Sequence, residues 1–97
     1  MRRYEVIVQP EALAEVEAIR KYQHEIDPKR ARRFLDAFHE CLIELSTLAT
    51  FQKRKGSFRH VMLKKLPYRV VFEIEEDTVF IYQVHHTSRR PSRRFGP

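Results

Sequence analysis

Cysteine is nearly absent from this sequence, which contains Cys41 alone. A single cysteine cannot form an internal disulfide, and it excludes a metal site built from several thiolates. Cys41 falls among apolar residues of a predicted helix, and this setting favours a buried side chain over a reactive thiol. We therefore expect the fold to depend on a hydrophobic core and on no covalent cross-link.

The sequence also lacks a hydrophobic run long enough to cross a bilayer. Its basic start, MRRYEVIV, is followed at once by the polar Gln9-Pro10-Glu11, which does not fit a signal peptide. Internal repeats, low-complexity runs and linkers are absent too. The 97 residues, of which 42% are hydrophobic, predict a single domain over residues 1–97, with no membrane partner and a cytoplasmic location. A basic tail at residues 92–97 is expected to fray.

Positive charge is in excess, with a formal net charge of +6. The basic residues gather near the ends of predicted elements, at residues 29–33, 53–59, 64–65 and 89–94. This distribution favours a polyanion or an acidic protein as the partner, because loops at the ends of elements often carry function. The alternative is that the charge serves solubility alone.

The first half of the chain predicts one strand and two helices. Alternation over Tyr4–Val8 indicates a short strand, and Pro10 followed by acidic residues begins the first helix. Asp27 and Pro28 repeat this start signal for a second helix that runs to about Leu48. The second helix carries an apolar stripe at helical spacing, formed by Ala31, Phe34, Leu35, Phe38, Cys41, Leu42 and Leu45. Because few residues separate the helices, they should form a helical hairpin.

The second half predicts three strands, at residues 58–63, 68–75 and 78–86. A loop at residues 64–67 and a tight acidic turn near Glu76-Asp77 join them into an antiparallel meander. The order βααβββ predicts an α+β fold, in which the helical hairpin packs on one face of a twisted antiparallel sheet. In the middle strand of the meander Val70, Phe72 and Ile74 share one face, so Arg69 lies on the other.

Several motifs in sequence order resemble one known group of proteins. They are the helix segments VQPEALAEVEAI and ARRFLDAFHECLIEL, then Pro67-Tyr68-Arg69 entering an apolar strand, and an H-x-x-R-x-P ending at His86, Arg89 and Pro91. Over almost the whole chain the sequence resembles RelE/ParE-superfamily toxins of type II toxin–antitoxin systems, in the group often called plasmid stabilisation proteins. The resemblance implies a growth inhibitor that a cognate antitoxin protein holds inactive.

The resemblance leaves two mechanisms open. RelE-like members cut messenger RNA on the ribosome without a metal or cofactor, and this chemistry needs a proton acceptor, a proton donor and positive charge around one phosphate. Here His86, or alternatively His85, would supply the acid or base, and Arg69 and Arg89 would bind the phosphate. The remaining candidates are basic residues that would contact the target: Arg59, Lys64, Lys65 and Arg90.

ParE-like members act on DNA gyrase, and two departures favour that reading. Residues 51–61, FQKRKGSFRHV, lack the carboxylate that several nucleolytic relatives use, and Phe95 stands where others have a tyrosine. Two other functions fit the sequence, a ribosome-dependent nuclease and a non-toxic basic binding domain. His86 could also have a structural role and no catalytic one. Arg89 and Arg90 could equally be solvated charges of the tail. If pairing brings Arg69 and the segment from His86 to Arg89 to one end of the sheet, they would form an anion site there.

Overall fold

The computed structural model describes residues 3–47 and 58–87. Within these ranges the elements are β1 (Glu5–Val8), α1 (Pro10–Ile26), α2 (Pro28–Thr47), β2 (Arg59–Met62), β3 (Tyr68–Glu75) and β4 (Thr78–His86). The predicted order βααβββ is confirmed, and the ends of the elements differ from the predicted ones by about one residue. Arg89, Arg90 and the tail at residues 92–97 lie outside the described residues, as does the predicted helix end at Leu48.

Both helices begin where the sequence predicts. Pro10 occupies the start of α1, where its missing N–H costs no helical hydrogen bond. Asp27 caps α2, since its carboxylate accepts a 2.9 Å hydrogen bond from the backbone N–H of Lys29. Asp27 also ends α1, because its own N–H donates to the carbonyl of Gln23. One residue thus closes one helix and opens the next, and this forces the chain into the helical hairpin.

The sheet has the order β1-β4-β3-β2 and is mixed. β2, β3 and β4 form the predicted antiparallel meander, with a two-residue turn at Glu76 and Asp77. The expectation of a wholly antiparallel sheet needs correction at β1, which pairs with β4 in parallel. The pairing direction depends on where the chain re-enters the sheet after the helical hairpin, and the alternation of residues 4–8 carries no information about that.

The core lies between the helical hairpin and one face of the sheet. The predicted stripe of α2 supplies Phe34, Phe38, Cys41 and Leu45, all buried. Opposite them the sheet contributes Val70, Phe72, Val79, Ile81 and Val84. The apolar patterns of α2 and β3 therefore form the two sides of one core. Because side chains alternate along a strand, the residues of β3 between the buried ones face away from the helices.

Helix α1 buries only some of its apolar side chains. Ala12, Val16 and Gln23 are buried, whereas Leu13 and Tyr22 are 53% and 61% exposed. The buried residues follow helical spacing, so the helix is regular but is rotated relative to its most apolar face. This rotation leaves large apolar side chains of α1 exposed, which is typical of a surface that binds a partner.

Candidate functional site

A β-bulge in β4 decides which side chains share a face of the sheet. Val71 pairs with Gln83 and Phe72 pairs with Ile81, so Tyr82 is an extra residue in β4. An extra residue reverses the alternation of side chains beyond it. As a result Val84 and His86 lie on the helix-facing side with Ile81, whereas simple alternation would have kept His86 with Phe80 and Tyr82.

On the helix-facing side, His86 belongs to a cluster around Tyr68. The two residues are register partners, and their rings meet edge-on with centroids 5.4 Å apart. The hydroxyl of Tyr68 accepts a 2.6 Å hydrogen bond from Nε2 of the buried Gln23. Gln23 in turn accepts, through its Oε1, a 2.8 Å hydrogen bond from Nε of Arg30. This chain of contacts ties β3 and β4 to both helices.

On the opposite, outer side of the sheet, Arg69 lies beside His60. Arg69 pairs with Met62 of β2 on one side and with His85 of β4 on the other. The pKa of His60 is lowered from its ordinary value of 6.5. The larger cause is partial burial, and the smaller is the positive charge of Arg69. An imidazole with a lowered pKa is neutral at neutral pH and can accept a proton.

The predicted catalytic residues are therefore only partly brought together. Arg69 and His86 lie at the same end of neighbouring strands but on opposite faces of the sheet. Of the described histidines, His60 and His85 share the outer face with Arg69. Arg89 lies outside the described residues, and the catalytic roles of all these side chains remain predictions.

The basic residues expected to contact the target occupy separate places. Lys64 and Lys65 form the turn between β2 and β3, where Lys65 adopts a left-handed backbone conformation with φ of 62°. Lys64 makes an exposed ion pair with Glu40 of α2, with Nζ and Oε1 3.5 Å apart. Arg59 begins the edge strand β2 and is half-buried. Arg90 lies outside the described residues.

Four residues that matter in the structure were not predicted as site residues. Gln23 and Arg30 lie on different helices, and only the hairpin brings them together. His60 is the one histidine of β2, but its sequence position does not show which residues lie near it. The register of the edge strand places it opposite Val71 and next to Arg69. Glu15 gave no signal at all, because its partner is a backbone group of β4, 69 positions away in the sequence.

A groove runs between α1 and the end of β4. Strand β1 pairs with β4 only as far as Ile81, so no strand of the described residues covers the edge of β4 beyond the bulge. The carboxylate of Glu15 accepts a 3.0 Å hydrogen bond from the N–H of Val84 at this edge. The groove has a volume of about 440 Å³, and Ile19, Tyr22 and Tyr68 give it an apolar and aromatic lining.

In residues 3–47 and 58–87, no group of three or more His, Cys, Asp or Glu side chains is arranged as metal ligands. Neither α1 nor α2 is apolar enough along its length to cross a membrane.

Comparison with known proteins places the chain in a family. Residues 6–91 match the family described as "ParE toxin of type II toxin-antitoxin system, parDE". A solved structure titled "Chromosomal ParDE TA system from P. aeruginosa" superposes with a TM-score of 0.72 at 16% identity, covering 87% of this chain and 96% of that chain. No curated protein gives a significant match. The match over residues 6–91, together with the shared fold, shows that this chain belongs to the ParE toxin family and is the toxin of a type II toxin–antitoxin system.

Proposed function

We propose that this toxin arrests growth by binding DNA gyrase in the cytoplasm. The observation that supports this most is the placement of Arg69 and His86 on opposite faces of the sheet. A general acid or base must lie within hydrogen-bond reach of the group it serves, so His86 and Arg69 cannot act on one phosphate across the sheet. A binding toxin needs no such constellation, because each cationic residue contributes to contact separately.

The outer face around Arg69 is the surface that we assign to the target. Arg69 is half-buried beside Met62, which is 47% exposed, and His60 is exposed on the same edge. An arginine next to exposed apolar surface is a common hot spot of protein interfaces. The net charge of +6 additionally favours approach to an acidic or nucleic-acid-bound target.

A supercoiling assay with purified gyrase tests this proposal. We expect wild-type toxin to inhibit supercoiling, and Arg69→Ala to weaken inhibition by at least about tenfold, as for an interface hot spot. The matched control is Arg20→Ala, which removes one positive charge from a surface ion pair on α1. In cells, Arg69→Ala combined with Arg89→Ala should relieve growth arrest. Full supercoiling in the presence of excess wild-type toxin would contradict the assignment.

One observation favours a second candidate, a ribosome-dependent endoribonuclease. His60 has a lowered pKa and shares the outer face with Arg69, so a neutral imidazole lies near a guanidinium. These two groups could accept a proton from a 2′-hydroxyl and bind the phosphate that it attacks, with no metal involved. In this case His60, and not His86, would be the base.

Primer extension on translated message separates the two candidates. Specific cuts by wild-type toxin that disappear with His60→Gln, in a protein that leaves gyrase active, would establish the nuclease. His86→Gln is the matched histidine variant, because His86 lies on the other face of the sheet. Positioned proton transfer contributes about 10²–10⁴-fold, whereas a contact histidine contributes only a few-fold. Cuts that disappear with His86→Gln but not with His60→Gln would support the prediction, made from the sequence, that His86 is the acid or base.

We place the cognate antitoxin in the groove between α1 and β4. The groove combines an uncovered strand edge with the exposed apolar side chain of Tyr22, and Ile26 lies one turn beyond it. These features suit an initially disordered acidic segment with apolar anchors, which would order on binding. We expect nanomolar affinity for the product of the neighbouring gene, measured by calorimetry, and a buried area of more than about 1,600 Å².

A further inference from the structure

A small basic cleft opens next to the groove, between the start of α2, the start of β3 and the end of β4. It has a volume of about 270 Å³, and its polar lining comes from Gln23, Arg30, Arg33, Tyr68 and His86. No aspartate or glutamate of the described residues lines it. The cleft therefore concentrates donors and positive charge without an acidic side chain to neutralise them.

Hydrogen bonds within the cleft orient its donors. Arg30 donates through Nε to Gln23, and this bond fixes one side of the guanidinium without using its two terminal nitrogens. Tyr68 accepts from Gln23 Nε2, so its own hydroxyl proton is directed elsewhere. Gln23 is only 8% exposed and Tyr68 5% exposed, so the groups that hold Arg30 are themselves packed in the protein. The arrangement presents a preorganised guanidinium fork with a second arginine beside it.

These donors suit an oxyanion as ligand. The position of the cleft beside the groove indicates which molecule would carry that oxyanion. A guanidinium fork pairs with a carboxylate through two parallel hydrogen bonds. Tyr68 and His86 line both the cleft and the groove, so the two are continuous. A peptide segment lying in the groove would therefore bring its neighbouring side chain to the arginines.

We propose that the cleft binds the carboxylate of an aspartate or glutamate in the antitoxin segment that occupies the groove. The proposal rests on the antitoxin site given above. The segment then has two anchors of different chemistry, an apolar side chain against Tyr22 and an acidic one against Arg30 and Arg33. Neither anchor involves the outer face around Arg69, so this cleft serves neutralisation and not the action on the target.

Calorimetry with the purified product of the neighbouring gene tests the cleft. We expect Arg33→Gln to weaken binding by about 10- to 100-fold, the contribution of a charge-assisted hydrogen bond. Arg30→Gln should have an effect of similar size. The matched control is Arg32→Gln, which removes the same charge from the neighbouring position of α2 and lies outside the cleft. Its effect should stay within about threefold, since exposed charges contribute little.

The outcomes separate this proposal from the antitoxin site and from the gyrase assignment. The side chain of Arg33 lines the cleft and is exposed, so Arg33→Gln should fold normally, and its thermal unfolding provides the check. Equal affinities for Arg33→Gln and Arg32→Gln, with tight wild-type binding, would overturn the cleft alone. Absence of any wild-type binding would overturn both the antitoxin site and the cleft. The supercoiling assay of the outer face is independent of either result.

Discussion

Tyr68 is the residue on which the helix-facing side of the site depends. Its ring packs against Phe34 of α2, with centroids 5.1 Å apart, and its hydroxyl is the partner of buried Gln23. The ring of Tyr68 is part of the hydrophobic core, and its hydroxyl is part of the polar cluster with Gln23. Removing the hydroxyl alone therefore measures the contribution of the hydrogen bond to stability separately from that of the ring.

We predict that Tyr68→Phe destabilises the fold by about 1–3 kcal/mol, because it leaves the buried Nε2 of Gln23 without its acceptor. Urea denaturation measures the change. The control is Tyr22→Phe, whose ring is 61% exposed and whose substitution should change the free energy of unfolding by less than about 0.5 kcal/mol. Equal stabilities for the two variants would show that the hydrogen bond contributes nothing.

His60 offers a second prediction at the scale of the residue. Removing the charge of Arg69 with Arg69→Gln should raise the pKa of His60 part of the way back to 6.5, since partial burial remains. In the wild-type protein the unfolded state binds the proton more readily, so the His60 contribution to stability falls as pH drops below 6.5. This loss ends once pH passes the lowered folded-state pKa. An NMR titration of the imidazole checks the direction, and a pKa that falls in Arg69→Gln would contradict it.

Among the elements, β4 carries most of the functional geometry. Its bulge at Tyr82 moves His86 to the helix-facing side, and its last residues extend past the end of β1. Uncovered strand edges invite pairing with other chains. Glu15 of α1 protects this edge by accepting the N–H of Val84, and the same edge is where we place the antitoxin.

We predict that Glu15→Ala lowers stability by about 1–3 kcal/mol, because the N–H of the buried Val84 loses its acceptor. Amide exchange at Val84 should accelerate in the same variant. The matched control is Glu17→Ala on the same helix, which removes only an exposed ion pair with Arg20. Its effect should stay below about 0.5 kcal/mol. Unchanged exchange at Val84 in Glu15→Ala would show that the carboxylate does not protect the edge.

At the scale of the whole molecule, Cys41 reports on the integrity of the core. It is the single cysteine, it is 5% exposed, and it packs between α2 and the sheet. Burial, with a smaller effect of Glu44, raises its pKa to about 11. A thiol reagent should therefore reach it only when the core opens.

We predict that a thiol reagent at pH 8 labels Cys41 at least about 10³-fold more slowly in the folded protein than in urea, given the usual stability of a small domain. Tyr68→Phe should accelerate labelling in proportion to its loss of stability. Fast labelling of a protein that is stable in urea titrations would mean that α2 opens locally. Antitoxin binding should slow the reaction further, because a ligand of the folded state suppresses opening.

The residues alone determined the order of elements and the parts of the core that α2 and β3 supply. The double role of Asp27 and Pro28, the stripe of α2 and the alternation of β3 are local patterns, and local patterns follow from helical and strand periods. The same patterns, read with the H-x-x-R-x-P ending, pointed to the toxin superfamily that the family match over residues 6–91 confirms. They also placed Arg69 on the face of β3 away from the core.

Only the tertiary structure decided which candidates meet. The bulge at Tyr82 reversed the alternation before His86, and no local sequence signal marks it. Because β1 ends opposite Ile81, no strand of the described residues pairs with the end of β4 on that side, and the helical hairpin brought Gln23 and Arg30 together at Tyr68. Each of these is a contact between different helices or strands of the fold. Such contacts depend on register and on the packing of whole elements, and for that reason the periodicity of a single segment cannot reveal them.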